Sequence, residues 1–157
     1  HEMVAPLEVS KYLYFANFID DSEEWSAYNK RVQKGDDLGT RMFTAIEEVR
    51  KEGHDKIVVI GTDCYELTTE ILEQAFKSLE TSDYCIGPAL DGGYYLIGTR
   101  KADEQVFLGK TWSTENVFQE AKDSITNMNK KMAELPILSD VDFEEDLKSL
   151  RQFLVEK

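Results

Sequence analysis

Lys56-Ile57-Val58-Val59-Ile60 runs directly into Gly61-Thr62-Asp63-Cys64, and the reading of this stretch decides the fold. A continuous β-branched run marks a strand covered on both faces, as in sheets with helices on either side. Such a strand would deliver Asp63 rigidly to its carboxyl end, where open α/β sheets bind their ligands. Gly61 lets backbone or ligand approach closely. A carboxylate there suits a divalent cation held against phosphate oxygens. It could equally cap the turn or the helix that follows.

Outward from this strand, the pattern alternates strand and helix. Upstream, Tyr12 to Ile19 reads as a buried strand. Glu23 to Val32 reads as a short helix, and 34–39 as a turn-rich loop. Thr40 to Glu52 reads as a helix with Met42, Phe43, Ile46 and Val49 on one face, stopped by Gly53. Downstream, Thr68 to Leu79 reads as a helix with Ile71, Leu72, Ala75, Phe76 and Leu79 inward. Tyr84 to Ala89 and Tyr94 to Thr99 are strands around an Asp-Gly hairpin signal. Ser113 to Met128 reads as a helix, Ala133 to Leu138 as extended, and Asp142 to Val155 as a closing helix with Asp142 at its N-cap. The expectation is one α/β domain over residues 1–157, with a mixed but mostly parallel sheet between helical layers.

The composition is that of a globular chain: 157 residues, 41% hydrophobic and 31% charged. No run is apolar for long enough to span a bilayer, and no signal peptide is visible. The first residue is His1, so a longer natural chain is expected. A formal net charge of −13 makes nucleic acid and anionic membranes poor partners. The two cysteines, Cys64 and Cys85, sit in apolar runs without zinc-like spacing; they read as buried free thiols in a reducing, cytoplasmic setting.

Three further segments could carry chemistry. Asp140 to Asp146 is dense in carboxylates. These residues complement the first turn of a helix, yet an N-cap Asp142 keeps an oxygen able to reach a metal. Asp91-Gly92-Gly93 followed by Tyr94 and Tyr95 is a plain hairpin turn or a place where a flat group approaches glycine and stacks on an aromatic ring. Gly35 to Arg41 opens a helix and offers backbone N–H groups to an anion, with Arg41 adding positive charge and Asp36 and Asp37 opposing it.

These segments together resemble a mostly bacterial family of glycosyltransferase-like proteins within the GT-A superfamily of nucleotide-diphospho-sugar transferases. The matching motifs, in order, are Gln33 with GDDLGTRM at 35–42, IGTDC at 60–64, IGPALDGGYYLIG at 86–98, WST at 112–114 and SDVDFEEDL at 139–147. The resemblance implies a Rossmann-like GT-A three-layer sandwich. By similarity to molybdenum-cofactor and phospholactate guanylyltransferases, it implies that Asp63 and Asp142 are the metal-binding, catalytic carboxylates for Mg²⁺ or Mn²⁺. It places Gly35, Asp37, Leu38, Gly39, Arg41 and Thr62 at the nucleotide, and Asp91, Gly92, Gly93 and Tyr94 on the acceptor or sugar side. Two departures stand out: Tyr65 replaces the family's usual proline after GTDC, and no strand with a Lys-Thr-Arg loop precedes Tyr12.

The expected activity is glycosyl or nucleotidyl transfer from a nucleotide or nucleotide sugar to an acceptor the sequence does not identify. The alternative is a non-catalytic nucleotide-binding or partner-interaction domain that retains the fold.

Overall fold

The computed structural model describes residues 3–19, 25–62 and 64–139. Within these, the elements in chain order are β1 (Tyr12–Phe15), β2 (Asn29–Val32), α1 (Leu38–Lys51), β3 (Ile57–Ile60), α2 (Thr69–Ser78), β4 (Tyr84–Pro88), β5 (Tyr94–Thr99), α3 (Glu104–Phe107), α4 (Val117–Asn127) and β6 (Met132–Glu134). The predicted closing helix from Asp142 to Val155 lies outside the described residues.

Among the described residues two sheets form: a parallel pair β1-β2, and a four-stranded sheet in the order β3-β5-β4-β6. β5 is antiparallel to both β3 and β4, and β4 is parallel to β6. β3, β4 and β6 therefore point the same way, and β5 alone runs against them. The sheet is mixed as the sequence implied, with the Asp-Gly hairpin supplying the reversed strand.

Side-chain alternation divides the core between the two faces. Ile57 and Val59 of β3, Tyr84 and Ile86 of β4, and Ile97 of β5 pack with Ile46 and Val49 of α1, Val106 and Phe107 of α3, and Ala121 and Ile125 of α4. Val58, Ile60, Cys85 and Leu96 pack on the other face with Leu72, Ala75 and Leu79 from α2. Helices on both sides of one sheet give the three-layer arrangement, and the period of two along the strands is what builds it.

Several boundaries differ from the sequence reading, each for a local reason. Asn29–Val32 is a strand and not part of a helix: it pairs in register with β1, and Arg31 lies over the Tyr12 ring at 4.7 Å and ion-pairs with Glu52. Its apolar content is too low for periodicity to reveal it. β1 stops at Phe15, short of Ile19, where Gln33 closes the pair: its N–H donates to the Phe15 carbonyl at 2.8 Å and its side-chain amide to the Tyr14 carbonyl. Phe18 beyond it is exposed. α1 begins at Leu38 because Asp37, the N-cap, accepts from the Thr40 N–H at 2.7 Å. α4 begins only at Val117, after Ser113 adopts a left-handed φ of 61° that a helix start cannot use. α3 has four residues, too few for a period to show.

β1 is tied to α1 by polar contacts. Tyr12 donates to Glu52 at 2.7 Å, Tyr14 donates to Glu48 at 3.1 Å, and Lys34 pairs with Glu48 at 2.6 Å. The Lys34 bond, aided by Tyr14 and Arg31, holds the Glu48 carboxyl below its ordinary value of 4.5. A depressed folded value contributes stability that is full above the unfolded value and is lost as pH falls through the folded one. Glu48→Gln is therefore expected to lower stability by about 0.5–1 kcal/mol at neutral pH. Its urea midpoint should converge on that of the parent protein below pH ~4; a constant gap from pH 7 to 3 would contradict this.

Candidate functional site

The loops after β3 and β4 and the segment after β6 leave the sheet at one end, because those strands share a direction. β3 continues its ladder one step beyond Ile60, where Gly61 N–H donates to the Tyr95 carbonyl at 3.0 Å. Thr62 is then exposed, whereas Cys64 and Leu67 are buried in the core on the α2 face. This pins the loop on its far side. Asp63 itself lies outside the described residues, as do Asp140 and Asp142.

The late segment is stitched to the same rim. Leu138 bridges Ala89 in parallel, donates its N–H to the Pro88 carbonyl at 3.1 Å and accepts from Leu90 N–H at 3.0 Å. Tyr95 lays its ring over Gly87, and its hydroxyl donates to the Pro136 carbonyl at 2.8 Å. One residue further, Ser139 N–H donates to the Glu66 carboxylate at 2.7 Å, across 73 residues of chain. The chain thus enters Asp140 from a point fastened to the loop that follows Asp63.

The hairpin is built around its aspartate and glycines. Asp91 accepts from Gly93 N–H at 2.8 Å in an Asx turn, and Gly92 holds a φ of 91°. The Gly92 carbonyl accepts from Phe118 N–H at 2.9 Å, satisfying a donor of the first turn of α4. A side chain on Gly92 would meet the Glu115 carbonyl oxygen at 2.0 Å, so this turn is packed on the segment that enters α4.

At the start of α1, Arg41 Nε donates to the Gly35 carbonyl at 3.0 Å, folding the loop back on itself. The Thr40 N–H bonded to Asp37 holds that carboxyl below its ordinary range. Leu38 is half exposed. Gly39 is buried, and a Cβ there would lie 2.0 Å from the Phe107 carbonyl oxygen and 2.5 Å from Trp112 Cζ2. Its glycine identity thus has a packing cause.

Trp112 joins two of the predicted segments. One edge of its indole lies on Gly39, and its ring meets Tyr94 edge-on with centroids 6.3 Å apart. Gly39 and Tyr94 therefore come together through a residue that the pattern of the sequence did not single out, apart from its place in the WST motif. Among the described residues, Tyr94 Oη and Trp112 Nε1 are the buried side-chain polar atoms without a hydrogen-bond partner. Each such atom costs about 1–3 kcal/mol. Burial also raises the Tyr94 hydroxyl well above the usual tyrosine range.

Neither cysteine forms a disulfide, and both are buried as expected. Burial pushes the Cys85 thiol up to about 12, which leaves it inert as a nucleophile. Among the described residues, no group of three or more His, Cys, Asp or Glu side chains is arranged to hold a metal ion, and no helix is long and apolar enough to cross a membrane.

The chain is similar to a crystal structure from Desulfovibrio desulfuricans G20 whose assignment as a nucleotide-diphospho-sugar transferase is itself provisional. Identity is 31% and the TM-score 0.81, over 90% of this chain and 64% of that one. The chain thus spans just under two thirds of that protein's length, and the shared architecture is a nucleotide-diphospho-sugar transferase fold. No curated protein matches. A family model covers residues 6–114, more than half of the chain, and takes in the α1 loop, the strand-end aspartate, the hairpin and Trp112. The chain belongs to the family described as uncharacterized proteins conserved in bacteria (DUF2064).

Proposed function

We propose that this protein is a metal-dependent transferase that acts on a nucleotide or nucleotide sugar at the carboxyl-end rim of the β3-β5-β4-β6 sheet. The bond from Ser139 N–H to the Glu66 carboxylate carries this reading, because it brings the segment leading to Asp142 against the loop that holds Asp63. Asp63 and Asp142 offer hard carboxylate oxygens of the kind Mg²⁺ or Mn²⁺ takes. Glu66 is already committed to Ser139. When bound, such a cation would offset negative charge on the phosphates.

The chain's own groups do the rest. The first turn of α1 presents N–H donors and the positive end of its dipole to a phosphate, with Arg41 beside it. These groups supply the local attraction that an anionic ligand needs on a protein of net charge −13. Gly61 and Thr62 line the approach to Asp63, and the Asp91 to Tyr94 hairpin borders the same rim toward the acceptor. No covalent protein nucleophile is required, so transfer is direct displacement at the sugar or phosphorus atom. The similarity to a nucleotide-diphospho-sugar transferase supports the donor class.

The test is product analysis after incubation with Mn²⁺ and a panel of nucleoside triphosphates and nucleotide sugars, each with simple phosphate and sugar acceptors. Release of pyrophosphate identifies nucleotidyl transfer, and release of a nucleoside diphosphate identifies glycosyl transfer. Failure to bind or turn over every member of the panel would overturn the proposal.

A further inference from the structure

We propose that Tyr94 Oη and Trp112 Nε1 form a phosphate-oxygen niche against the first turn of α1, a binding element of the transferase site read above and dependent on that reading. The indole N–H is a donor only, and the tyrosine hydroxyl can donate as well. Both atoms are buried and unpartnered in the described structure. Their rings are in edge contact. In an indole, Nε1 and Cζ2 are bonded to the same carbon, Cε2. The Trp112 edge that abuts Gly39 is therefore the edge that carries the N–H.

The N–H edge of Trp112 thus lies where the 14-residue helix α1 begins, and the Tyr94 ring packs against the same indole. Two side-chain donors beside the positive end of a helix have one natural complement, an anionic oxygen with several lone pairs.

The loop that carries Trp112 holds two left-handed residues, Gly109 at φ 69° and Ser113 at φ 61°. Of the two only Ser113 is strained, because glycine adopts this region freely.

The isosteric variant Tyr94→Phe removes one orphaned hydroxyl without altering the ring. It is expected to melt several degrees above the parent protein and to bind guanosine or uridine diphosphate with Mn²⁺ roughly tenfold more weakly. Trp112→Phe should weaken binding similarly, and the two substitutions should couple. Calorimetric titration and thermal melting of the full chain read both quantities. If Tyr94→Phe binds as tightly as the parent protein, the niche is refuted, and the hydroxyl is a packing cost or the seat of a trapped water. If the parent binds neither nucleotide nor pyrophosphate, the niche and the transferase reading fall together. If the parent binds and only Asp63→Ala loses affinity, the niche alone falls.

Discussion

Gly92→Ala is expected to destabilise the protein by about 4 kcal/mol, whereas Gly53→Ala should cost about 1 kcal/mol. Both glycines hold positive φ, 91° and 98°, so both replacements carry the penalty of a left-handed non-glycine residue. They differ in what the new methyl group meets. At Gly53 nothing lies within 4 Å, but at Gly92 the Glu115 carbonyl oxygen lies 2.0 Å from the new carbon, with its carbonyl carbon and Cα at 2.5 and 2.6 Å. Backbone cannot swing aside as a long side chain can. The hairpin must move, and with it goes the Gly92 carbonyl that accepts from Phe118 N–H at the start of α4. Urea unfolding at constant m-value measures the difference directly. Equal midpoints for the two variants would show that the hairpin yields freely.

The contrast between these two glycines also shows what could be read from sequence and what could not. Asp91-Gly92 announced a turn, and Tyr94–Thr99 was found at its predicted limits, because local chemistry and unbroken apolar runs fix both. The strand at Ile57–Ile60 follows from its unbroken β-branched run, and the inward residues Ile46, Val49, Leu72, Ala75 and Leu79 follow from helical periodicity. The strand at Asn29–Val32 was illegible, since its stability comes from pairing with β1 and from Arg31 reaching Tyr12 and Glu52. Gly39 was expected at the nucleotide, and its packing between Phe107 and Trp112 was not foreseen. No local pattern can foresee a contact so distant in sequence. The same holds for Glu66 and Ser139, whose bond is the clearest structural link between the two acidic segments.

Asp63→Ala is expected to lower Mn²⁺-dependent affinity for a nucleoside diphosphate by about two orders of magnitude, with little change in affinity when the metal is chelated. The size of the effect follows from the few ligands the chain provides. With two carboxylates proposed for the cation, removing one takes away half of the anionic field that holds it, and the nucleotide then meets a strongly acidic protein unshielded. Cys64 and Leu67 are buried beside this position and anchor the loop independently of the carboxylate. The variant should therefore unfold close to the parent midpoint, which separates lost binding from lost fold.

The most direct test of the central claim is a double-mutant cycle between Asp63→Asn and Asp142→Asn, read as Mn²⁺-dependent nucleotide affinity. Two carboxylates on one cation predict strong coupling: each single variant loses nearly all of the metal-dependent affinity, and the double variant loses no more. Additive losses, or an Asp142→Asn variant that binds Mn²⁺ and nucleotide like the parent protein, would contradict a shared metal site.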